Sequence, residues 1–160
     1  MPVLTLDASA VIYAWYHYPS AQFPKVWHWL SGKIGSKELV IAKTAFDEVV
    51  KHQPDAAAWL TSKKIAIFQV TNDALMKAVA IKADLGIAND DYGSGVGEND
   101  ILIIATAWVN GHEMITQENR QLNLPKSLKK YKIPAVCGMA SVTIPCHTFI
   151  EVLRQSNATF

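Results

Sequence analysis

With only two cysteines in 160 residues, a formal net charge of +1 and no long apolar run, several familiar kinds of protein are excluded. Cys137 and Cys146 have neither the four-ligand spacing of a zinc site nor the C-x-x-C of a redox site, so both read as free buried thiols. No apolar stretch approaches the roughly 20 residues that a bilayer-spanning helix needs, so no membrane partner is expected. The first residues do not combine a basic flank, an apolar core and a small-residue cleavage site, and a reducing, cytoplasmic setting is the expectation. The near-neutral charge excludes a protein that holds nucleic acid by overall positive charge, although bound metal and a few local lysines can neutralise phosphate in a nuclease. Neither a Ser/Gly/Pro-rich linker nor an internal repeat divides the chain, so residues 1–160 read as one domain. The stretch Asn89 to Gly97 gathers three glycines without the Gly-Lys-Ser/Thr ending of a P-loop, and reads as a mobile loop beside Asp100.

What the chain does contain is a large apolar fraction, half of all residues, arranged in short runs. Strand-like runs occur at Val3 to Leu6, Leu39 to Ala42, Ile65 to Val70, Glu113 to Thr116 and Val142 to Ile144. Because polar alternation is mostly missing, these strands belong in a sheet covered on both faces. Helical stretches separate them. One starts at Pro24 and ends at Gly32, a short one runs from Pro54 toward Leu60, and Asn72 reads as the N-cap of Asp73 to Asp84, closed by Gly86. Glu98 to Val109, followed by Gly111, is almost wholly apolar after its first turn and reads as a helix buried all round. A last helix covers His147 to Gln155. Alternating strands and helices predict a three-layer α/β domain around a mainly parallel sheet of about five strands.

Four acids stand at the ends of these elements. Asp7 closes the first strand, where ligands gather in open α/β sheets, yet it can equally cap the following helix through the amide of Ser9 or Ala10. Asp100 lies in the first turn of an apolar helix, where the helix dipole alone can account for it. Glu118 follows a strand and precedes Asn119, Arg120 and Gln121, as an ordinary solvated glutamate would. Glu48 is the least conspicuous: Thr44 and Asp47 resemble a capping arrangement, and Glu48 can pair with His52 one turn on. If the four converge, their mutual repulsion calls for a cation, and hard oxygen ligands favour Mg²⁺ or Mn²⁺.

The order and context of these acids carry a resemblance. The run Leu-Asp7-Ala-Ser9, then Glu48 in Phe-Asp-Glu-Val-Val, then Asp100 in Glu-Asn-Asp-Ile-Leu-Ile-Ile-Ala-Thr-Ala, then Thr116-Gln-Glu118, resembles the PIN-domain ribonucleases, which include the VapC-type toxins of toxin–antitoxin pairs. The resemblance spans nearly the whole chain. It is closest to an uncharacterised, DUF4411-like bacterial subgroup, through Phe23-Pro-Lys-Val-Trp27, Lys132-Ile-Pro-Ala-Val-Cys137 and Phe149-Ile-Glu-Val-Leu153. It implies a three-layer α/β/α PIN-like fold and a metal-dependent endoribonuclease, with Asp7, Glu48, Asp100 and Glu118 as catalytic, metal-binding acids. Glu118 stands where many relatives place an aspartate, which adds a methylene to its reach. The same resemblance implies that Ser9 and Thr116 support the acids and makes Glu98 an additional candidate. It further implies Mg²⁺ or Mn²⁺ as cofactor, RNA as substrate, a homodimer and an inhibitory antitoxin as partner. Metal there would activate water and stabilise the leaving oxygen.

Groups able to meet RNA phosphate are Lys43, Lys51, Arg120, Lys126, Lys129, Lys130 and Lys132, each equally able to serve as a solvated surface charge. Trp15, Trp27, Trp29, Tyr16 and Tyr18 fall at helix spacing and read as core or subunit contact rather than base-stacking surfaces. None of the five histidines has metal-site spacing. An aspartate-nucleophile phosphatase would want a second Asp where Ser9 stands, and a response-regulator or nucleotide-binding domain would want an acid pair or Gly-rich turn after the first strand. The alternative from another class is a catalytically inactive PIN-like module that binds RNA or protein.

Overall fold

The computed structural model describes residues 2–160. Strand β1 (Leu4–Leu6) leads into α1 (Ala8–His17) and α2 (Pro24–Gly35), and β2 (Leu39–Ala42) into α3 (Lys43–His52) and α4 (Pro54–Ser62). Then follow β3 (Ala66–Phe68), α5 (Asn72–Asp84), α6 (Glu98–Val109) and β4 (Glu113–Ile115). A 3₁₀ turn (Leu128–Lys130), α7 (Ile133–Cys137), β5 (Cys146–His147) and α8 (Phe149–Gln155) complete the chain.

The five strands lie in the order β3-β2-β1-β4-β5, and every pair is parallel. Parallel neighbours need long crossovers, which the intervening helices provide. Successive strand residues point to opposite faces, so two sets of side chains reach two helical layers. Leu4, Leu6, Leu39 and Ile115 meet Trp29 and Leu30 of α2 and Phe149 and Val152 of α8. Met114 points the other way, with its sulfur 3.8 Å from Cys137 Sγ of α7, and α6 packs against α7, β2 and β4. This is a three-layer α/β/α PIN-like fold. The apolar runs of β1 and β2 are buried without interruption, as a sheet covered on both sides requires.

Helix boundaries follow the local chemistry. Pro24 and Pro54 sit in first turns, while Gly86 and Gly111 adopt φ of +71° and +67° just beyond α5 and α6. Helix α6 spans the predicted residues, although Leu102 and Trp108 keep it from being buried all round. The N-cap of α5 is Thr71, whose hydroxyl accepts from Ala74 N at 3.2 Å, and Asn72 is the first helical residue. The last helix starts at Phe149 rather than His147, capped by Thr148 in a reciprocal arrangement with Glu151.

The predicted fifth strand is displaced. Val142 and Ile144 are buried, but the exposed Thr143 between them turns through φ +54° and the segment forms a loop; the paired strand is Cys146–His147, beside Met114 and Ile115. An apolar loop packed on the core has the same composition as a buried strand. The aromatic residues behave largely as core. Trp27 packs edge-on against Trp15 and Trp59, and its indole donates to Tyr18 O at 2.5 Å, while Tyr16 stays exposed. Cys137 and Cys146 are both free, the first buried and the second half-buried. No helix among the described residues is long and apolar enough to cross a membrane.

Candidate active site

Asp7 occupies the N-cap position of α1, but its side chain caps nothing. Its backbone amide donates to Ile115 O at 2.9 Å, tying the end of β1 to the end of β4. Its Oδ2 accepts from Ser9 Oγ at 2.5 Å and from Thr116 Oγ1 at 2.9 Å. Each hydroxyl has one proton, so donation to Asp7 leaves its lone pairs free: Ser9 Oγ accepts from Gln117 N at 2.9 Å and Thr116 Oγ1 from Glu118 N at 3.3 Å. Two hydroxyls from two elements thus fix one oxygen of a nearly buried carboxylate, 3% exposed, and the start of the next loop.

The other three acids are held in the same manner, through a single oxygen. Asp100 Oδ2 accepts from Gly97 N at 3.0 Å, Glu118 Oε2 from Ile133 N at 2.8 Å, and Glu48 Oε1 from Asn99 Nδ2 at 3.0 Å. The second oxygen of each of the four has no hydrogen-bond partner among the described residues. The expected Glu48–His52 pair is replaced by Asn99 of α6. Nor do Thr44 and Asp47 cap α3: its N-cap is Ala42, and Asp47 pairs with Lys43.

Burial raises the pKa of Glu48, Asp100 and Glu118 alike, and like charge adds to it. Asp7 and Asp100 act on Glu48, Asp7 on Asp100, and Asp100 and Asp7 on Glu118. The single hydrogen bond each accepts pulls in the opposite direction. Four acids separated by up to 111 positions therefore share one electrostatic neighbourhood at the carboxyl edge of the sheet, from residue 7 to residue 118. Their chemistry fits a hard divalent cation, since each offers an uncommitted carboxylate oxygen near other acids. The fit is open rather than closed: among the described residues no three His, Cys, Asp or Glu side chains surround a single point. Glu98 is exposed on α6 and makes no hydrogen bond to the other acids.

The chain matches, over residues 4–160, a family described as a domain of unknown function, DUF4411. It belongs to the DUF4411 family. A comparison with curated proteins finds no match. Among solved structures, similarity extends to VapBC2 from Rickettsia felis bound to a DNA fragment from their promoter, with 14% identity and a TM-score of 0.55 over 92% of this chain and 98% of that one. It extends also to DNA-bound VapBC from Salmonella typhimurium, with 16% identity and a TM-score of 0.57 over the same shares. At such identities the likeness is one of fold.

Three features of the DUF4411 site are not legible in the sequence. Asn99 is overshadowed by the acids on either side of it. Helix α7, five residues long, is too short to show a period, yet its first amide holds Glu118. The Gly-rich segment is strapped rather than free: Gly95 N donates to Lys129 O at 3.0 Å, Val96 N to Tyr131 O at 2.8 Å, and Asp91 pairs with Lys129. A Cβ on Gly95 would lie 2.3 Å from Tyr131 O, so only glycine fits there. A hollow of about 340 Å³ beside Glu48 is lined by Thr44, Lys51, Asn99 and Leu102. A groove of about 690 Å³ between Phe23 and Arg154 contains none of the four acids.

Proposed function

We propose that this protein is a metal-dependent endoribonuclease, the toxin component of a type II toxin–antitoxin pair. The observation that carries the reading is that Asp7 acts electrostatically on Glu48, Asp100 and Glu118 alike, with each of the four anchored by one oxygen and the other uncommitted. Asp7, Glu48, Asp100 and Glu118 would hold Mg²⁺ or Mn²⁺, which when bound supplies an activated water and charge stabilisation for phosphodiester hydrolysis. Ser9 and Thr116 orient Asp7 by donating to its Oδ2, and Asn99 orients Glu48. RNA is the substrate and the protein a homodimer, and the fold shared with VapBC complexes supports an antitoxin partner.

A second reading has its own support. Asp100 and Glu118 also cap α6 and α7, and no three acids close on one point, as in a PIN-like module that binds RNA or protein without cutting it. Purified wild type and Asp7→Asn, incubated with tRNA, rRNA fragments and single-stranded RNA in Mg²⁺, Mn²⁺ or EDTA, separate the two. Cleavage that needs metal and disappears in the variant supports the nuclease. A folded wild type that neither cuts RNA nor binds metal in calorimetry supports the module.

A further inference from the structure

Three of the cations around the carboxyl edge are already engaged by acids outside the cluster. Lys43 pairs with Asp47, Lys129 with Asp91 at 2.8 Å, and Arg120 with Glu151 at 2.5 Å. Lys132 forms no ion pair among the described residues. It is half-buried, and its charge reaches both Asp100 and Glu118.

The backbone on both sides of Lys132 is tied to those same two acids. Tyr131 O accepts from Val96 N at 2.8 Å, and the adjoining Gly97 amide is the one that holds Asp100. Ile133 N donates to Glu118 Oε2 at 2.8 Å. Lys132 N itself donates to Gln121 Oε1 at 2.9 Å, and Gln121 Nε2 reaches Lys130 O at 3.0 Å. These hydrogen bonds and the close approach of Gly95 fix the chain that carries this ammonium. Lys126 and Lys130, by contrast, are exposed.

We propose that Lys132 is the phosphate-binding residue of this site, holding a backbone phosphate of single-stranded RNA against the carboxyl edge from a position set by the 95–96 to 129–131 strap. The identity of the ligand rests on the nuclease reading. A polyanion approaching four carboxylates is repelled, and an ammonium carried on this tied backbone, near enough for its charge to act on Asp100 and Glu118, offsets that repulsion where the chain must dock. Lysine serves here as a point charge on phosphate, with no requirement for the planar fork of arginine.

The test is binding of a short fluorescein-labelled single-stranded RNA in EDTA across a salt series, by anisotropy, for wild type, Lys132→Met, Lys132→Arg and the remote control Lys25→Met. Lys132→Met is expected to weaken binding about tenfold, the size of one charge-assisted contact. It should also flatten the dependence of log affinity on log salt by about 0.7, the value for one phosphate contact on a single strand. Lys132→Arg restores both and Lys25→Met changes neither. Unchanged affinity and slope in Lys132→Met, with only its thermal stability altered, would overturn the proposal and leave Lys132 as a counter-charge for the acids. Cleavage assayed in parallel keeps the two readings apart. Wild type that binds through Lys132 without cutting sinks the nuclease and retains the phosphate site, whereas cutting with Lys132-independent binding does the reverse.

Discussion

Carboxylates in two parts of this molecule have opposite fates. Outside the cluster of four, Glu38 is paired with Lys33, Asp91 with Lys129 and Glu151 with Arg120, and in each case the bond to the basic partner lowers the acid's pKa, for Glu151 to about 2. At the carboxyl edge, Glu48, Asp100 and Glu118 are raised, first by burial and then by one another. The same side-chain chemistry is stabilised in one place and left wanting positive charge in the other. A fold gains nothing in stability from gathering like charges, so the gathering points to a ligand that supplies the missing charge.

The largest expected effect follows directly. Asp7→Asn should reduce metal-dependent RNA cleavage by about a hundredfold or more, at least the upper range seen when even an outer partner of a metal ligand is removed. Circular dichroism should show the variant folded, because Asn keeps an oxygen for Ser9 and Thr116. Ser9→Ala and Thr116→Val each remove one of the two donors to Asp7 Oδ2 and should each cost about 10- to 100-fold in activity or metal affinity, read by kinetics and calorimetry.

Stability should respond oppositely in the two regions as pH changes. For Glu48, Asp100 and Glu118 the folded protein holds protons more tightly than the unfolded chain, so metal-free protein should become more stable as pH falls from 7 into the raised range of these groups. For Glu151 the folded pKa is about 2 against an ordinary 4.5, so its contribution is present above 4.5 and is lost as pH falls toward 2. Urea titrations between pH 7 and pH 2 should therefore show stability rising and then falling. Saturating Mg²⁺ should remove the rise, and a rise that persists unchanged with Mg²⁺ would break the contrast.

Smaller effects sharpen it. Glu118→Ala removes the acceptor for Ile133 N and should cost about 1 kcal/mol, whereas Glu118→Gln keeps an acceptor, deletes a repelled charge and should not be destabilising without metal. Chemical denaturation of the two variants measures the difference. Least of all, Lys33→Met, which breaks a solvent-accessible pair with Glu38, should leave both the thermal unfolding midpoint and RNA cleavage close to those of wild type.

Legibility in the sequence varies with the element. Strands β1, β2 and β4 and helix α6 stand out because a mostly apolar run with little polar alternation fits little besides a buried strand or helix. Strand β5 does not, because Val142 to Ile144 is as apolar as a strand while the two residues that pair, Cys146 and His147, carry no strand signature. The positions of all four acids are visible from motif order, but Glu48 has His52 within reach one turn on, and Asp7 has an equally good role as a cap. Only Asn99, Ser9 and Thr116 in place decide against those local roles.

Local pattern was enough to specify an α/β chain with its acids at element ends, since apolar periodicity and helix punctuation are properties read within a few residues. That those acids act on one another, that the charge of Lys132 reaches two of them, and that a glycine-rich segment is a strap emerge only once the chain is folded. Each depends on contacts between residues far apart in the chain, as with Asp7 and Thr116, 109 positions apart, and strand order, rather than local propensity, brings them together.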